Sequence, residues 1–252
     1  MTKMLNGKSL IVTGGARGIG KAITDLAVIE GANVLVADII DADTGSEDTG
    51  GRVVRRNCDV TSADDVRSAV EQAVSEFGRL DGLVNNAGIG ITGPFTELTE
   101  DQFDKTVAVN MKGVFLFSQH AIKQMLKQSN GGSIVNMGSA GSVVGTRELL
   151  LYAMSKHGVA GMTRCLGVEY ANQGIRVNAV CPGPIWTEMI RNAANDMYGT
   201  DDPREIAKQQ NVPREMLGTA EEVAESVVWL LSDRSSNCNG TLLMTDGGYT
   251  AW

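Results

Sequence analysis

Residues 9–20 read SLIVTGGARGIG, a short apolar run that passes directly into a glycine-rich turn. Glycines let the backbone turn tightly and approach a bound phosphate. A helix that begins inside such a turn also offers it free N–H groups and a partial positive charge. The spacing, Gly14-x3-Gly18-x-Gly20, differs from the GxGxxG fingerprint, so the turn alone is weak evidence. Its position between a strand and a helix predicts a dinucleotide site that includes Gly14, Arg17, Gly18, Ile19 and Gly20.

Short β-rich runs alternate with amphipathic helical patterns along the rest of the chain. The predicted strands are 9–13, 33–38, 52–55, 82–85, 133–137, 176–180 and 241–245, and the predicted helices are 18–30, 62–77, 100–127, 151–171 and 220–232. This alternation predicts an α/β fold, a mostly parallel sheet with helices on both faces joined by right-handed crossovers. No repeat or linker divides the chain, so residues 1–252 are predicted to form one domain.

The one long irregular stretch begins at Pro182 and ends near Gly218. It holds four of the five prolines of the chain and many polar residues. A loop of this length inside a compact domain is usually functional or mobile. We therefore expect a substrate lid over about residues 184–218.

Composition narrows the class of partner. With 22 basic and 30 acidic side chains the formal charge is −8, which argues against a nucleic-acid or anionic-membrane surface and favours small-molecule chemistry. No stretch is long and apolar enough to span a bilayer, and the polar N-terminus leaves no room for a signal peptide, so a cytoplasmic location is expected. The four cysteines form no CxxC pair, which predicts buried thiols and no metal site: Cys58, Cys165, Cys181 and Cys238.

Asp38 ends the predicted second strand, where a carboxylate can accept both hydroxyls of an adenine ribose. A 2′-phosphate at that place would repel Asp38 by about 4 kcal/mol if the charges were about 4 Å apart at an effective dielectric of about 20. NAD is therefore the expected cofactor. Arg17 complicates the choice, because a guanidinium in the glycine turn could pair with the 2′-phosphate of NADP.

Tyr152 and Lys156 stand four residues apart at the start of a helical pattern, so the phenol and the ammonium share one helix face. Ser139 lies thirteen residues upstream at the end of a predicted strand, and Asn110 lies within the long middle helix. His120 and His157 have no carboxylate or second histidine at ligand spacing, so packing or surface roles are expected for both.

These residues together resemble the short-chain dehydrogenase/reductase family over essentially the whole chain. The ordered matches are Thr13-Gly14-x3-Gly18-Ile19-Gly20, Asp59-Val60, Asn85-Asn86-Ala87-Gly88, Asn110, Ser139, Tyr152-x3-Lys156 and Pro182-Gly183. The resemblance implies a single-domain Rossmann-type fold with strand order 3-2-1-4-5-6-7 and usually a homotetramer. In that assembly segments 100–127 and 151–171 pair across a two-fold axis, and the tail 249–252 could pack at another.

The resemblance also assigns roles to single residues. Asp59 and Val60 would contact the adenine ring, although Asp59 could equally be a strand-end cap. Asn86 would lie beside the adenosine ribose, while Asn85 could be purely structural. Lys156 would also bind the nicotinamide ribose, and Asn110 would hold a water in a proton relay. The carboxamide would be held by Ile185 and Thr187.

The chemistry follows from the residue types. The pKa of a free phenol is about 10, so a phenol that accepts a proton near neutral pH needs stabilisation of its anion by about 3 to 4 kcal/mol. Lys156 and the positive nicotinamide ring can supply it to Tyr152, while Ser139 would donate a hydrogen bond to the substrate oxygen. This set predicts an NAD-dependent oxidoreductase that interconverts a secondary alcohol and a ketone.

The substrate is only hinted at. The segment 147–151 leads into Tyr152, and Trp186 and Met189 fall in the expected lid, which suggests an apolar, cyclic or aromatic alcohol. Arg147 could instead grip a carboxylate, but Glu148 beside it favours a surface role. Two alternatives stay open: a 3-ketoacyl-carrier-protein reductase, and a non-catalytic dinucleotide sensor that keeps the fold without the chemistry.

Overall fold

Among the residues that the structure describes, seven parallel strands form one sheet in the order β3-β2-β1-β4-β5-β6-β7. The structure, a computed structural model, describes residues 3–40, 50–128 and 130–251, without the side chains of residues 189, 192, 193, 196 and 197. The strands are β1 Ser9–Thr13, β2 Asn33–Asp38, β3 Val53–Asn57, β4 Gly82–Asn85, β5 Gly132–Met137, β6 Ile175–Pro182 and β7 Leu242–Thr245. The strand order and the α/β class implied by the sequence are confirmed.

Eight α-helices connect these strands within the described residues. They are α1 Gly18–Ile29, α2 Ala63–Phe77, α3 Glu100–Val107, α4 Gly113–Gln128, α5 Leu150–Tyr170, α6 Glu188–Tyr198, α7 Pro203–Gln209 and α8 Ala220–Leu231. Local sequence sets several of their ends. Thr219 and Glu222 form a reciprocal capping box at the start of α8, and Gly78 ends α2 with φ +80°.

Alternation along the central strands divides the core between the two faces of the sheet. Leu10 and Val12 of β1 are buried under α1 and α8, whereas Ile11 is buried on the opposite face against α2 and α4. All three side chains are fully buried, and burial of such a side chain contributes roughly 1.5–3 kcal/mol. Helices therefore pack against both faces of the sheet, and the candidate site lies at the edge formed by the carboxyl ends of the strands.

The predicted helix 100–127 is not continuous. α3 and α4 are joined by a π-helical turn, Ala108–Lys112, that contains Asn110. A π turn inserts one extra residue into a helix, and such turns are frequent at functional sites. The apolar pattern on either side persists, so the periodicity that predicted one helix could not show the wider turn.

The prediction of an irregular stretch up to Gly218 was wrong, because α6 and α7 lie in it. Pro203 does not break α7 but occupies its first turn, where a missing N–H costs nothing, and Asp202 caps that helix by accepting from the Arg204 amide at 2.8 Å. The two helices enclose a small apolar cluster: Ala194, Ile206, Ala207, Val212 and Leu217, with Trp186, Tyr198 and Tyr249 against it.

The cysteine prediction holds for two residues and fails for the others. Cys58 and Cys181 are buried, and burial raises the pKa of the Cys58 thiol to about 12. Cys165 is exposed on α5, and Cys238 is half-buried. Within the described ranges, no group of three His, Cys, Asp or Glu side chains is placed to hold a metal ion, and no helix has the length and apolar character needed to cross a bilayer.

Candidate active site

The predicted site residues gather along one edge of the sheet. In a parallel sheet the carboxyl ends of all strands lie at the same edge, and a crevice opens where neighbouring strands send their connections in opposite directions. Here β1 pairs with both β2 and β4, so the crevice lies between the connections that leave β1 and β4. Gly14 follows β1, Asn86 follows β4 and Ser139 follows β5.

The glycine turn has the conformation that its sequence requires. Gly14 and Gly18 have φ values of +62° and +55°, which side chains other than glycine rarely adopt. A Cβ on Gly20 would overlap the Gly14 carbonyl oxygen, so only glycine allows α1 to start this close to the turn. The amides of Gly18, Ile19 and Gly20 have no hydrogen-bond acceptor among the described residues. The turn thus offers free donors to an anionic ligand.

Asn86 holds this turn from below. Its Nδ2 donates to the Thr13 carbonyl at 3.0 Å and to the Gly14 carbonyl at 2.9 Å. Both amide hydrogens are therefore used on the protein itself. The prediction placed Asn86 beside a ribose; its contacts show a clamp between β4 and the glycine turn.

Asp38 lies where the second strand meets the glycine turn. The side chain is buried, one carboxylate oxygen accepts from the Ala16 amide at 3.0 Å, and the other accepts from the Ile40 amide at 3.0 Å. Each carboxylate oxygen has further lone pairs, so hydrogen bonds to ribose hydroxyls remain possible. The Arg17 side chain is exposed at the start of α1.

The next pair, Asp59 and Val60, follows β3. The exposed Asp59 carboxylate accepts from both the amide and the hydroxyl of Thr61 at 2.8 Å, as in the strand-end cap that is its alternative role. Val60 is buried and packs against Gly113 at the start of α4.

Tyr152 and Lys156 meet on one face of α5, as the spacing predicts. The Lys156 ammonium lies 5.5 Å from the centre of the Tyr152 ring. The Lys156 side chain is buried, and its Nζ donates to the Met137 carbonyl at the end of β5 at 2.7 Å. A Cβ built on Gly88 would lie 3.4 Å from Asn110 Oδ1 and 3.8 Å from Lys156 Nζ, so the connection after β4 also borders this cluster.

Asn110 is fixed by the π turn and by three hydrogen bonds. Its Oδ1 accepts from the Ile89 amide, and its Nδ2 donates to the Ile89 carbonyl, each at 2.9 Å. Nδ2 also donates to Ser155 Oγ at 3.0 Å, and Ser155 in turn donates to the Tyr152 carbonyl at 2.7 Å. Asn110 therefore ties the connection after β4 to the first turn of α5.

Ser139 has a hydroxyl ready to donate. Its Oγ accepts from the Gly141 amide at 3.1 Å, and its hydrogen finds no acceptor among the described residues. A hydroxyl held by an accepted bond keeps its own proton for a ligand oxygen.

Sequence reasoning missed Ser142 and Ser155, which are both buried and hydrogen-bonded to residues of the predicted site. The available signal was position, because Ser155 stands between Tyr152 and Lys156 on the same helix. Asn85 does have the structural role that was considered: its Nδ2 donates to Ser118 Oγ and to Asn136 Oδ1 on the neighbouring strand.

Ile185 and Thr187 begin the segment between β6 and α8. Ile185 is buried and pairs with Gly218 in a parallel bridge, so both ends of the segment 184–218 are joined. Thr187 directly precedes α6 without a side-chain hydrogen bond to it, and the Thr187 amide donates to the Ile185 carbonyl at 2.8 Å. Trp186 packs against the cluster under α6 and α7, and the Met189 side chain lies outside the described part.

A cavity of about 300 Å³ lies beside the base of this segment. It is lined by Arg214, Glu222 and the chain around Asp246, and Ile185 is the one predicted site residue that it shares. Arg214 and Glu222 form an ion pair at 2.7 Å across its rim, and the hydrogen bond from Arg214 lowers the pKa of Glu222. The reactive groups on α5 lie elsewhere, so this cavity is separate from the chemistry.

Comparison with known proteins agrees with this geometry. A family model described as enoyl-(acyl carrier protein) reductase matches residues 14–250. The chain is 39% identical to 2,5-dichloro-2,5-cyclohexadiene-1,4-diol dehydrogenase of Sphingobium indicum over 250 residues, covering 98% of each protein. It is 40% identical to the 3-oxoacyl-acyl-carrier-protein reductase of Thermotoga maritima over 249 residues, covering 97% of this chain and 98% of that protein.

A levodione reductase of Leifsonia aquatica is 36% identical, with 99% of this chain and 97% of that protein covered. A crystal structure of levodione reductase superposes with a TM-score of 0.89 at 34% identity, covering 98% of this chain and 99% of that one. The chain belongs to the short-chain dehydrogenase/reductase family. The family fold is a dinucleotide-binding Rossmann type, typically for NAD or NADP, and these relatives of the family are oxidoreductases of alcohols and ketones.

The residues present fit such a dinucleotide. The turn around Gly18 and Gly20 leaves room and free amides for a diphosphate, and Asp38 stands at the end of the neighbouring strand. Lys156 keeps two of its three ammonium hydrogens beyond the bond to Met137. The fit therefore extends from the glycine turn to the start of α5.

Proposed function

We propose that this protein is an NAD-dependent oxidoreductase that interconverts a secondary alcohol and a ketone, with Tyr152 as the proton-transfer group. The observation that carries the proposal is the position of Lys156, buried and 5.5 Å from the centre of the Tyr152 ring. Catalysis of this kind needs a proton acceptor with a stabilised anion, and a fixed ammonium beside a phenol provides it.

Each residue of the proposed site has a separate role in the reaction. Bound NAD supplies the hydride acceptor for alcohol oxidation. The Tyr152 phenolate takes the proton of the substrate hydroxyl, and Lys156 stabilises that phenolate. The free hydrogen of Ser139 is donated to the substrate oxygen. Asn110, held to Ile89 and Ser155, keeps the connection after β4 against α5. In the proposed mechanism it would also hold the water of a proton relay.

The cofactor assignment rests on Asp38. Its buried carboxylate is held beside the glycine turn by the Ala16 and Ile40 amides, which supports bonding to ribose hydroxyls and opposes a 2′-phosphate. Arg17 is the one candidate for the opposite preference, and its side chain is exposed. The diphosphate would be held by Gly14, Gly18, Ile19 and Gly20, the adenine by Asp59 and Val60 near Asn86, and the carboxamide by Ile185 and Thr187.

The proposed substrate is an apolar, cyclic small molecule. Val143 and Leu150, within the connection and first turn that separate Ser139 from Tyr152, expose 41% and 45% of their surface. The names of two relatives, a cyclohexadiene diol dehydrogenase and a levodione reductase, are consistent with a ring bearing a hydroxyl or a ketone. Segment 184–218, closed at its base by the Ile185–Gly218 bridge, is proposed as the lid over this substrate.

A carrier-protein-linked 3-ketoacyl reductase is the second candidate, favoured by the 40% identical relative from Thermotoga maritima. An acidic carrier would need a basic surface, whereas this chain has a net charge of −8. The negative net charge therefore favours a small cyclic alcohol over a carrier-bound ketoacyl group as the substrate.

The test is a panel of cyclic, aryl and sugar alcohols with NAD⁺ and NADP⁺, together with ketoacyl and enoyl thioesters with the reduced cofactors, followed by NADH or NADPH absorbance. We expect turnover of a cyclic secondary alcohol with NAD⁺. Faster turnover of a ketoacyl thioester would favour the second candidate. Tight NADH binding without turnover of any compound would instead indicate the dinucleotide sensor.

A further inference from the structure

Ser142 connects Ser139 to Lys156, which lies fourteen residues after Ser142 in the chain. Its Oγ accepts from the Ser139 amide at 3.1 Å and donates to the Lys156 carbonyl at 3.1 Å. The side chain is 4% exposed. The Ser142 hydroxyl thus joins Ser139 to α5, the helix that carries the Lys156 ammonium.

The bond from Ser142 closes a loop of contacts around the reactive groups. Lys156 already donates from Nζ to the Met137 carbonyl, two residues before Ser139. Its backbone carbonyl accepts from Ser142, three residues after Ser139. The corner 137–142 is therefore bound to Lys156 at both of its ends, with Ser139 between them.

Besides Ser142 Oγ, Cys181 Sγ faces this corner: burial raises the pKa of its thiol, and hydrogen bonds with the Ser139 backbone and the Ser142 side chain oppose that rise. A Cβ built on Gly138 would lie 3.0 Å from Ser142 Oγ and 2.6 Å from Cys181 Sγ, so the space behind the corner is closely packed. Without the hydroxyl the Ser139 amide would keep only the Cys181 sulfur, a weak acceptor, and the corner would lose its bond to the Lys156 carbonyl, so α5 and the corner would be free to shift. A shift of about 1 Å between reacting groups can lower a rate by about a hundredfold.

We propose that Ser142 is a positioning residue that sets the distance between the Ser139 hydroxyl and the Tyr152–Lys156 pair. The proposal rests on the proposed alcohol–ketone chemistry, because it makes Ser142 act through Ser139. It assigns no contact with substrate or cofactor to Ser142 itself.

The experiment compares Ser142→Ala with a matched control, Ser118→Ala. Ser118 is equally buried and its Oγ accepts from Asn85 Nδ2, but it lies on α4 outside the proposed site. We expect kcat for the best alcohol to fall by about tenfold to a hundredfold in Ser142→Ala, with the NADH dissociation constant within about twofold of the unmodified enzyme. Ser118→Ala should keep kcat while lowering the melting temperature.

A double-mutant cycle with Ser139→Ala separates positioning from general destabilisation. If Ser142 acts through Ser139, adding Ser142→Ala to Ser139→Ala should cause no further loss of kcat. An additive loss would overturn the proposal, as would a Ser142→Ala enzyme that retains more than half of the kcat. Should Ser142→Ala fail to fold, Ser142→Cys keeps the side-chain volume with a much weaker hydrogen-bonding group, and the same losses are expected.

Hydrogen exchange gives a readout that does not depend on turnover. Ser142→Ala should speed amide exchange in residues 137–142, and Ser118→Ala should not. An unchanged exchange rate would contradict the bridging role directly. Failure of the proposed function has a different signature, since the unmodified protein would then oxidise no alcohol of the panel while the exchange result still stood.

Discussion

The environment of Lys156 is unusual for a residue with a purely structural role. It is buried, yet the described part of the chain gives it no carboxylate partner, only the Met137 carbonyl and the Tyr152 ring. A buried ammonium is costly unless it is paired or hydrogen-bonded. Two of its hydrogens remain, and the proposed function gives them to the nicotinamide ribose hydroxyls and the Tyr152 phenolate. A buried ammonium with hydrogens still to donate is the physical reason why we propose proton transfer at Tyr152, beside Lys156.

Tyr152→Phe tests that role. It removes the phenolic oxygen while leaving the ring against Lys156 and the glycine turn unchanged. We expect kcat to fall by about 10² to 10⁴, the usual worth of general acid–base catalysis, with NADH affinity nearly unchanged. Steady-state kinetics and fluorescence titration measure both quantities. A variant that kept more than a tenth of the kcat would show that another group carries the proton.

Lys156→Ala should have a different signature. The lysine is expected to hold the nicotinamide ribose as well as to stabilise the phenolate, so both kcat and NADH affinity should fall. The affinity loss should be about tenfold or more, measured by the same titration. A loss of kcat with unchanged NADH affinity would restrict Lys156 to the phenolate.

Asp38→Ala tests the choice of cofactor. The unmodified protein should prefer NAD⁺ over NADP⁺ by about tenfold or more in kcat/KM, and the substitution should narrow that gap. Because the carboxylate also accepts from the Ala16 and Ile40 amides, NAD⁺ should bind more weakly in the variant as well. Equal use of both cofactors by the unmodified protein would contradict the assignment and give the deciding role to Arg17.

At the scale of elements, the sequence predicted the strands well because they are short, β-rich apolar runs, as expected for a parallel sheet covered on both faces. All seven predicted strands overlap an observed one, and the glycine turn lies between β1 and α1 as expected. The wider turn at Asn110 escaped prediction because the apolar pattern continues on either side of it, and the bonds of the Asn110 side chain to Ile89, far away in the chain, become visible only in the fold. α7 escaped because the prolines and polar residues of the stretch favoured an irregular segment, whereas Pro203 occupies the first turn of a helix.

The same distinction applies to the candidate site. The motif spacing predicted that Tyr152 and Lys156 share a face, since both lie on one helix. It could not predict Ser142, because its two partners belong to β5's connection and to α5. It also could not show that Asn86 donates both of its side-chain amide hydrogens to the carbonyls of Thr13 and Gly14. Local patterns place residues on elements, whereas bonds between elements need the fold.

The junction between β1 and α1 makes a prediction of its own. In Gly20→Ala the added Cβ would overlap the Gly14 carbonyl oxygen, so the turn or the helix must move. We expect NADH affinity to fall by about tenfold or more and the melting temperature to drop. Gly161→Ala on α5 is the matched control, because nothing lies within 4 Å of its added Cβ and NADH affinity should not change. Equal NADH affinity in both variants would show that the close approach is not needed for binding.

At the scale of the whole molecule, apolar side chains are exposed on the helices that cover one face of the sheet. Phe103 on α3, Phe115 and Leu126 on α4 and Val168 on α5 are each more than two-fifths exposed, and Val168 reaches 82%. Single exposed apolar residues are ordinary, but several on adjacent helices support our expectation that another chain covers this surface. They lie on the segments that the family resemblance pairs across a two-fold axis; the second expected contact, at the tail, includes Trp252, which is outside the described residues.

We therefore expect a homotetramer, and light scattering at micromolar protein should return about four times the 26.7 kDa of one chain. Phe115→Glu places a charge on the expected contact and should shift the mass toward dimers or single chains, because an unpaired charge buried in an apolar interface is strongly unfavourable. Ile29→Glu is the matched control: Ile29 is 51% exposed at the end of α1, on the other face of the sheet, and its substitution should leave the mass unchanged. A single-chain mass for the unmodified protein would refute the assembly. A tetramer that survives Phe115→Glu would place the contact on another surface than α4 and α5.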